Sequence, residues 1–150
     1  MPEKETLERA HEDAREGKSP STQAGEFVRE EMHHIREGKH GAASTKQAIA
    51  IGLSKARRAG VNLKPPGAQE TSQETAEHAE RDYEKGKSHP RRKPSATRSR
   101  ATTRALKRKG SAAASTSALS RQARTAARKR SASSRRSSAQ KAARTRKIRS

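Results

Sequence analysis

Over residues 1–86 the apolar side chains recur three and four positions apart, and single glycines cut the pattern into short runs. That is the signature of amphipathic helices with glycine stops. The first predicted helix runs from about Glu3 to Glu16, with Leu7, Ala10 and Ala14 on one thin face and Gly17 at the left-handed position beyond its end. Ser19 and Pro20 then supply an N-cap and a first-turn proline. The second predicted helix runs from about Pro20 to Glu37. At 100° per residue, Ala24, Val28, Met32 and Ile35 fall within an arc of about 80°, with Phe27 beside them. Glu31 interrupts this stripe and is assigned to its margin.

The third helix opens at Ser44, which with Gln47 fits a capping box. Its face is Ile49, Leu53 and Ala56, and Gly60 is its stop; Ile51 points elsewhere, towards a second contact surface or a self-association site. The short connection from Gly38 to Ala43 favours antiparallel neighbours. The expectation is an all-α head: a helical hairpin over about residues 20–60, with Val61 and Leu63 tucked beneath it and Lys64-Pro65-Pro66-Gly67 closing the unit. A fourth helix over 71–85, capped by Thr71 with Glu74 and stopped at Gly86, has almost no apolar face and is expected to form without docking. Gly-Lys pairs at Gly17, Gly38 and Gly86 read as helix-ending chemistry.

Charge divides the chain more sharply than hydropathy does. The net charge is +20, yet residues 1–86 hold 14 basic and 16 acidic side chains, whereas 87–150 hold 22 basic ones and no acid. Leu, Ile, Val and Phe together number 12 of 150, and there is no Trp. A chain so poor in apolar bulk cannot line a deep substrate pocket. Its composition places the basic half among segments that stay disordered when free. The expected organisation is a helical head over 1–64, a linker with a short charged helix over 65–86, and a disordered or conditionally helical tail over 87–150. The absence of cysteine excludes disulfides and zinc ribbons. Met1 to Ala10 has no apolar run, so neither a secretory signal nor a membrane span is expected.

The tail repeats itself: Thr103, Ala105, Leu106, Arg108, Ala113 and Ala114 recur thirteen positions later. Drawn as a helix, 115–130 places Leu119, Ala123 and Ala126 opposite Arg121, Arg124 and Arg128. Such a polycation calls for a polyanion. The expected phosphate contacts are Arg91, Arg92, Lys93, Arg98, Arg100, Arg104, Lys107, Arg108, Lys109, Arg121, Arg124, Arg128, Lys129, Arg130, Arg135, Arg136, Lys141, Arg144, Arg146, Lys147 and Arg149. Lys39, Lys46, Lys55, Arg57 and Arg58 are candidate contacts from the head.

Sharper motifs carry less. Gly38-Lys39-His40-Gly41 matches the form of a backbone-clamping glycine loop but lacks the strands such modules need, so a helix stop and turn is the reading, with Lys39 and His40 within reach of one phosphate. His33, His34 and His40 read as surface histidines rather than metal ligands, because neighbours on a helix diverge by about 100°. No catalytic constellation, cofactor or metal site is expected.

The stretch GEFVREEMHHIREGKHGAASTKQAIAIGLSKARRAG, residues 25–60, resembles an uncharacterised family of small basic bacterial proteins, over roughly residues 1–64. That resemblance implies, loosely, DNA binding. The tail is similar to bacterial histone-like tails in composition. The resulting expectation is a non-enzymatic, sequence-independent DNA-binding protein of the cytoplasm and nucleoid, with a head that could pair as a homodimer. RNA or ribosome association is the rival, and an anionic membrane surface a more distant one.

Overall fold

A computed structural model describes residues 1–67, 70–88 and 95–149. All regular structure among them is helical: α1 (Lys4–Arg15), α2 (Pro20–Arg36), α3 (Thr45–Arg58), α4 (Gln73–Lys87), α5 (Ala96–Lys107), a 3-10 turn (Ala112–Ala114), α6 (Thr116–Lys129) and α7 (Ala132–Arg149). The chain divides into two compact units, Met1–Ser115 and Thr116–Ser150.

In the first unit the helix starts are chemical. Ser19, Ser44 and Ser72 each accept a hydrogen bond from the backbone N–H three residues on, satisfying a donor that the first turn leaves over. Gln47 reaches back one residue further than the capping box predicts, accepting from Ala43 N at 2.7 Å rather than from Ser44 N. Gly17, Gly38 and Gly60 take positive φ, as a left-handed cap requires.

The hairpin is as expected, and its core is small. Ala10, Ala24, Phe27, Ala56 and Val61 are buried together, with Leu7, Leu53, Ala59 and Leu63 packed around them. The buried face of α3 is not the expected Ile49–Leu53–Ala56 line. It is Thr45, Ala48, Gly52 and Ala56, and the larger side chains flank it. Small residues win the centre because α2 comes very close: a Cβ on Gly52 would lie 2.7 Å from Val28 Cα.

Three expectations fail at α4, the first being its cap, which is Ser72 rather than Thr71 with Glu74. The helix does dock, against α3. A polar contact replaces the missing apolar face: the buried Asp82 carboxylate accepts from Ser54 Oγ and from Arg58 Nε, each at 2.6 Å, while Ala79 is buried beside it. Gly86 is also not the stop, since α4 continues to Lys87. A Cβ there would sit 1.9 Å from the Arg57 carbonyl oxygen, so its missing side chain lets α4 lie on the end of α3. Gly86→Ala is therefore expected to destabilise by a net of about 1–3 kcal/mol, since overpacking outweighs improved helix propensity. Gly25 has nothing within 4 Å of its would-be Cβ. Gly25→Ala is expected to stabilise by up to about 1 kcal/mol. Urea unfolding of both variants should show shifts of opposite sign.

The largest correction concerns the basic half. The tail expected to be disordered is helical over α5, α6 and α7. Ala, Arg and Lys have high helix propensity, and no proline follows Pro94. Repulsion is diluted in α7, where at 100° per residue the cations are distributed all round the axis. Ser131 caps that helix, its Oγ accepting from Ser134 N at 3.1 Å. Arg130 reaches over the same turn to Ser134 and Ser138.

The start of the tail is also part of the first unit. Gly41 N donates to Leu106 O at 3.0 Å and Ala42 N to Gly110 O at 3.4 Å. Thr45 Oγ1 donates to Ala113 O at 2.7 Å and Arg36 Nε to Ala114 O at 2.9 Å. Ala113 and Ala114 are buried against α2 and α3.

Candidate nucleic-acid interface

The basic side chains of the tail are displayed outward. Arg98, Arg100, Arg104, Lys107, Arg108 and Lys109 are exposed on and after α5. In the second unit, Arg121, Arg124, Arg128, Lys129, Arg130, Arg135, Arg136, Lys141, Arg144, Arg146 and Lys147 are exposed too. Arg91, Arg92 and Lys93, and the side chain of Arg149, lie outside the described residues. On α5, Arg100, Arg104 and Lys107 share an arc of about 60°; on α6, Arg121, Arg124 and Arg128 do the same. Each helix thus presents a row of cations about one turn apart. Long cationic side chains in such a row can follow a line of phosphates.

The head treats its cations differently. Lys39 pairs with Glu37 at 3.1 Å and Glu3 at 3.2 Å, and these two carboxylates hold its ammonium above its ordinary pKa. Lys55 is turned inward onto Glu31 and Glu30. Arg57 is buried, donates to Leu63 O at 3.2 Å, and is pushed below its ordinary pKa by burial, with Asp82 opposing. Arg58 pairs with Asp82. Lys46 alone of these five is exposed with no such carboxylate contact among the described residues. Four of the five head candidates are thus committed to the fold. The glycine loop is committed as well: the amides of Gly41 and Ala42 face backbone carbonyls of the tail, and Lys39 and His40 face carboxylates.

A cluster the sequence reading missed lies beside this loop. Glu31 is completely buried, not marginal. On the helical wheel it falls between Phe27 and Ala24, within the apolar face. Its Oε1 lies 3.1 Å from His40 Nε2 and its Oε2 lies 2.7 Å from Lys55 Nζ. Neither oxygen receives a well-aligned hydrogen bond, so these are close ionic contacts rather than directed bonds. Glu30 is buried next to it, accepting from Glu3 N at 3.1 Å and lying 3.4 Å from Lys55 Nζ. His34 Nε2 lies 2.9 Å from the Glu3 carboxylate, and its Nδ1 faces Glu30 at 3.9 Å. His34, followed by Lys39, holds Glu3 below the usual carboxylate range. His34 and His40 are therefore not surface histidines; their side chains are only 13% and 15% exposed, and only His33 of the three is exposed. The available signal was an acid placed inside an apolar stripe.

Residues 17–66 match a family of unknown function, DUF6496. The match covers a third of the chain, and it spans α2, α3 and the segment through Val61 and Leu63. Apart from Glu3, the buried ionic cluster lies wholly inside it. No curated protein and no solved structure matches the chain. Among the described residues, no helix is long and apolar enough to cross a membrane.

Proposed function

We propose that this chain is a sequence-independent DNA-binding protein of the bacterial nucleoid, acting through phosphate neutralisation by its basic half. The observation that carries the reading is the charge division. Residues 87–150 hold 22 cations and no acid, and those described are exposed, while Lys39, Lys55, Arg57 and Arg58 of the front half are engaged within the fold. Each Lys or Arg that meets a phosphate releases condensed counterion, a gain independent of sequence. Arginine adds a planar fork that grips two phosphate oxygens at once.

Helicity of the basic half favours DNA over RNA. The major groove of B-form DNA admits an α-helix, whereas that of A-form RNA is too deep and narrow. The cations of α7 surround the helix instead of converging on one edge, which suits backbone contact better than base reading. RNA association is the second reading, because the phosphate chemistry is shared.

Fluorescence anisotropy with the full chain tests the proposal. Two unrelated labelled duplexes are expected to bind within about threefold of each other, and unlabelled duplex to displace them better than an equal mass of structured RNA. A preference of a hundredfold for one duplex, or more effective displacement by RNA, would overturn it. Because the tail helices exist in the free chain, circular dichroism is expected to show little added helix at saturating duplex.

A further inference from the structure

The ionic cluster under the loop between α2 and α3 mixes acids, imidazoles and one inward-turned ammonium, a chemistry different from that of the tail. Two buried carboxylates, Glu30 and Glu31, share one ammonium, that of Lys55. Glu3 and Lys39 pair with each other at its edge. The two oxygens of Glu31 lack directed hydrogen bonds despite complete burial, and a buried polar group left in that state is costly.

We propose that Glu31, His34 and His40 bind one transition-metal ion of the zinc class. One ligand atom from each residue lies within 4.8 Å of the other two. The Glu31–His40 pair, at 3.1 Å, is already close to the ~3.3 Å ligand–ligand edge that follows from tetrahedral bonds of 2.0–2.1 Å. A small turn of the His34 side chain would bring the third donor in. Two imidazoles and a carboxylate are borderline ligands, suited to zinc and its neighbours rather than to calcium or magnesium.

The surroundings have the form of an outer shell. Gly41 O lies 3.2 Å from His40 Nδ1, so a proton there would leave the Nε2 lone pair directed at Glu31. Glu3 contacts His34 Nε2 in the same way, with Nδ1 3.9 Å from the Glu30 carboxylate. Lys55 steadies the Glu31 oxygen that His40 does not face. Such partners orient ligands and raise their basicity. The site joins α2, the loop and, through Lys55, α3, so the ion would fasten the hairpin at its turn.

The test uses the full chain after chelator treatment, titrated with Zn2+ by calorimetry and with Co2+ by visible absorbance. One equivalent per chain is expected, with cobalt bands of the intensity typical of four-coordination. Joint replacement His34→Gln and His40→Gln is expected to weaken binding at least ~100-fold, beyond the loss typical of an outer-shell change. His33→Gln is expected to leave it unaltered. Should the double variant fail to fold by circular dichroism, imidazole NMR signals of the unaltered chain decide. Zn2+ should move those of His34 and His40 and leave His33 in place. The absence of a saturable equivalent overturns the proposal. So does binding that survives the double replacement, or zinc shifts confined to other histidines.

Discussion

Lys55→Met is expected to destabilise the first unit by about 3–5 kcal/mol, the cost of leaving buried carboxylates without their cation. Glu31 is fully buried and 2.7 Å from this ammonium, and Glu30 is 3.4 Å from it. Methionine preserves most of the length and apolar volume of lysine, so the loss would report charge rather than packing. Urea unfolding in chelator measures it without interference from metal. Glu31→Gln should be costly as well. The double variant Glu31→Gln with Lys55→Met is expected to lose less than the two single losses added together, because Glu31 then carries no charge to be stranded, although Glu30 still loses its cation. Strict additivity would mean that the two groups do not interact and that the cluster is misread.

Replacing Arg121, Arg124 and Arg128 by glutamine is expected to weaken duplex binding by about two decades near 0.15 M salt. That figure takes three lost phosphate contacts at a salt slope of about 0.9 each. The three arginines share one face of α6 and are exposed. Glutamine has a helix propensity close to that of arginine, so the helix should persist. Replacing two exposed head side chains, Arg29→Gln with Lys46→Gln, should cost far less than two-thirds of the triple variant's loss, the share that two lost contacts would give. Equal losses would shift the interface towards the head. Salt titration adds an independent reading: the triple variant's slope should fall by about 2.7.

What was legible from sequence was mostly local. Serine caps, the first-turn proline at Pro20 and the glycines at 17, 38 and 60 placed the ends of the first three helices within a residue or two of where they lie. These signals act within one turn of chain and need no partner. Failures came where a tertiary contact decides. Glu31 read as a margin residue because an isolated stripe does not reveal that Lys55 and His40 wait opposite. α4 read as undocked because apolar pattern was the criterion, while its anchor is a carboxylate, Asp82, held by Ser54 and Arg58. Gly86 read as a stop because its absent side chain serves a neighbouring helix rather than its own. The basic tail read as disordered because its composition offers too little apolar area to bury, whereas the helix propensity of its Ala, Arg and Lys needs no core. The arrangement of cations around α7 and the Ser131 cap add to that propensity.

The candidate interface divides the same way. That the tail's cations have no acid of their own half to pair with was legible from charge alone. That Lys39, Lys55, Arg57 and Arg58 are engaged within the head was not legible, because each depends on a carboxylate or carbonyl brought in by folding. The outcome is a division of labour. The front of the chain uses opposite charges to hold together a core with few large apolar side chains, and the side chains of the back carry one sign of charge alone.

The most direct test of that division is the duplex-binding constant of the full chain between 50 and 200 mM salt. Engagement of about ten of the tail's cations is expected to lower the affinity by roughly three to five decades over this range, along a straight line in log–log coordinates. A flat line, or no binding to duplex in dilute buffer, would contradict the account.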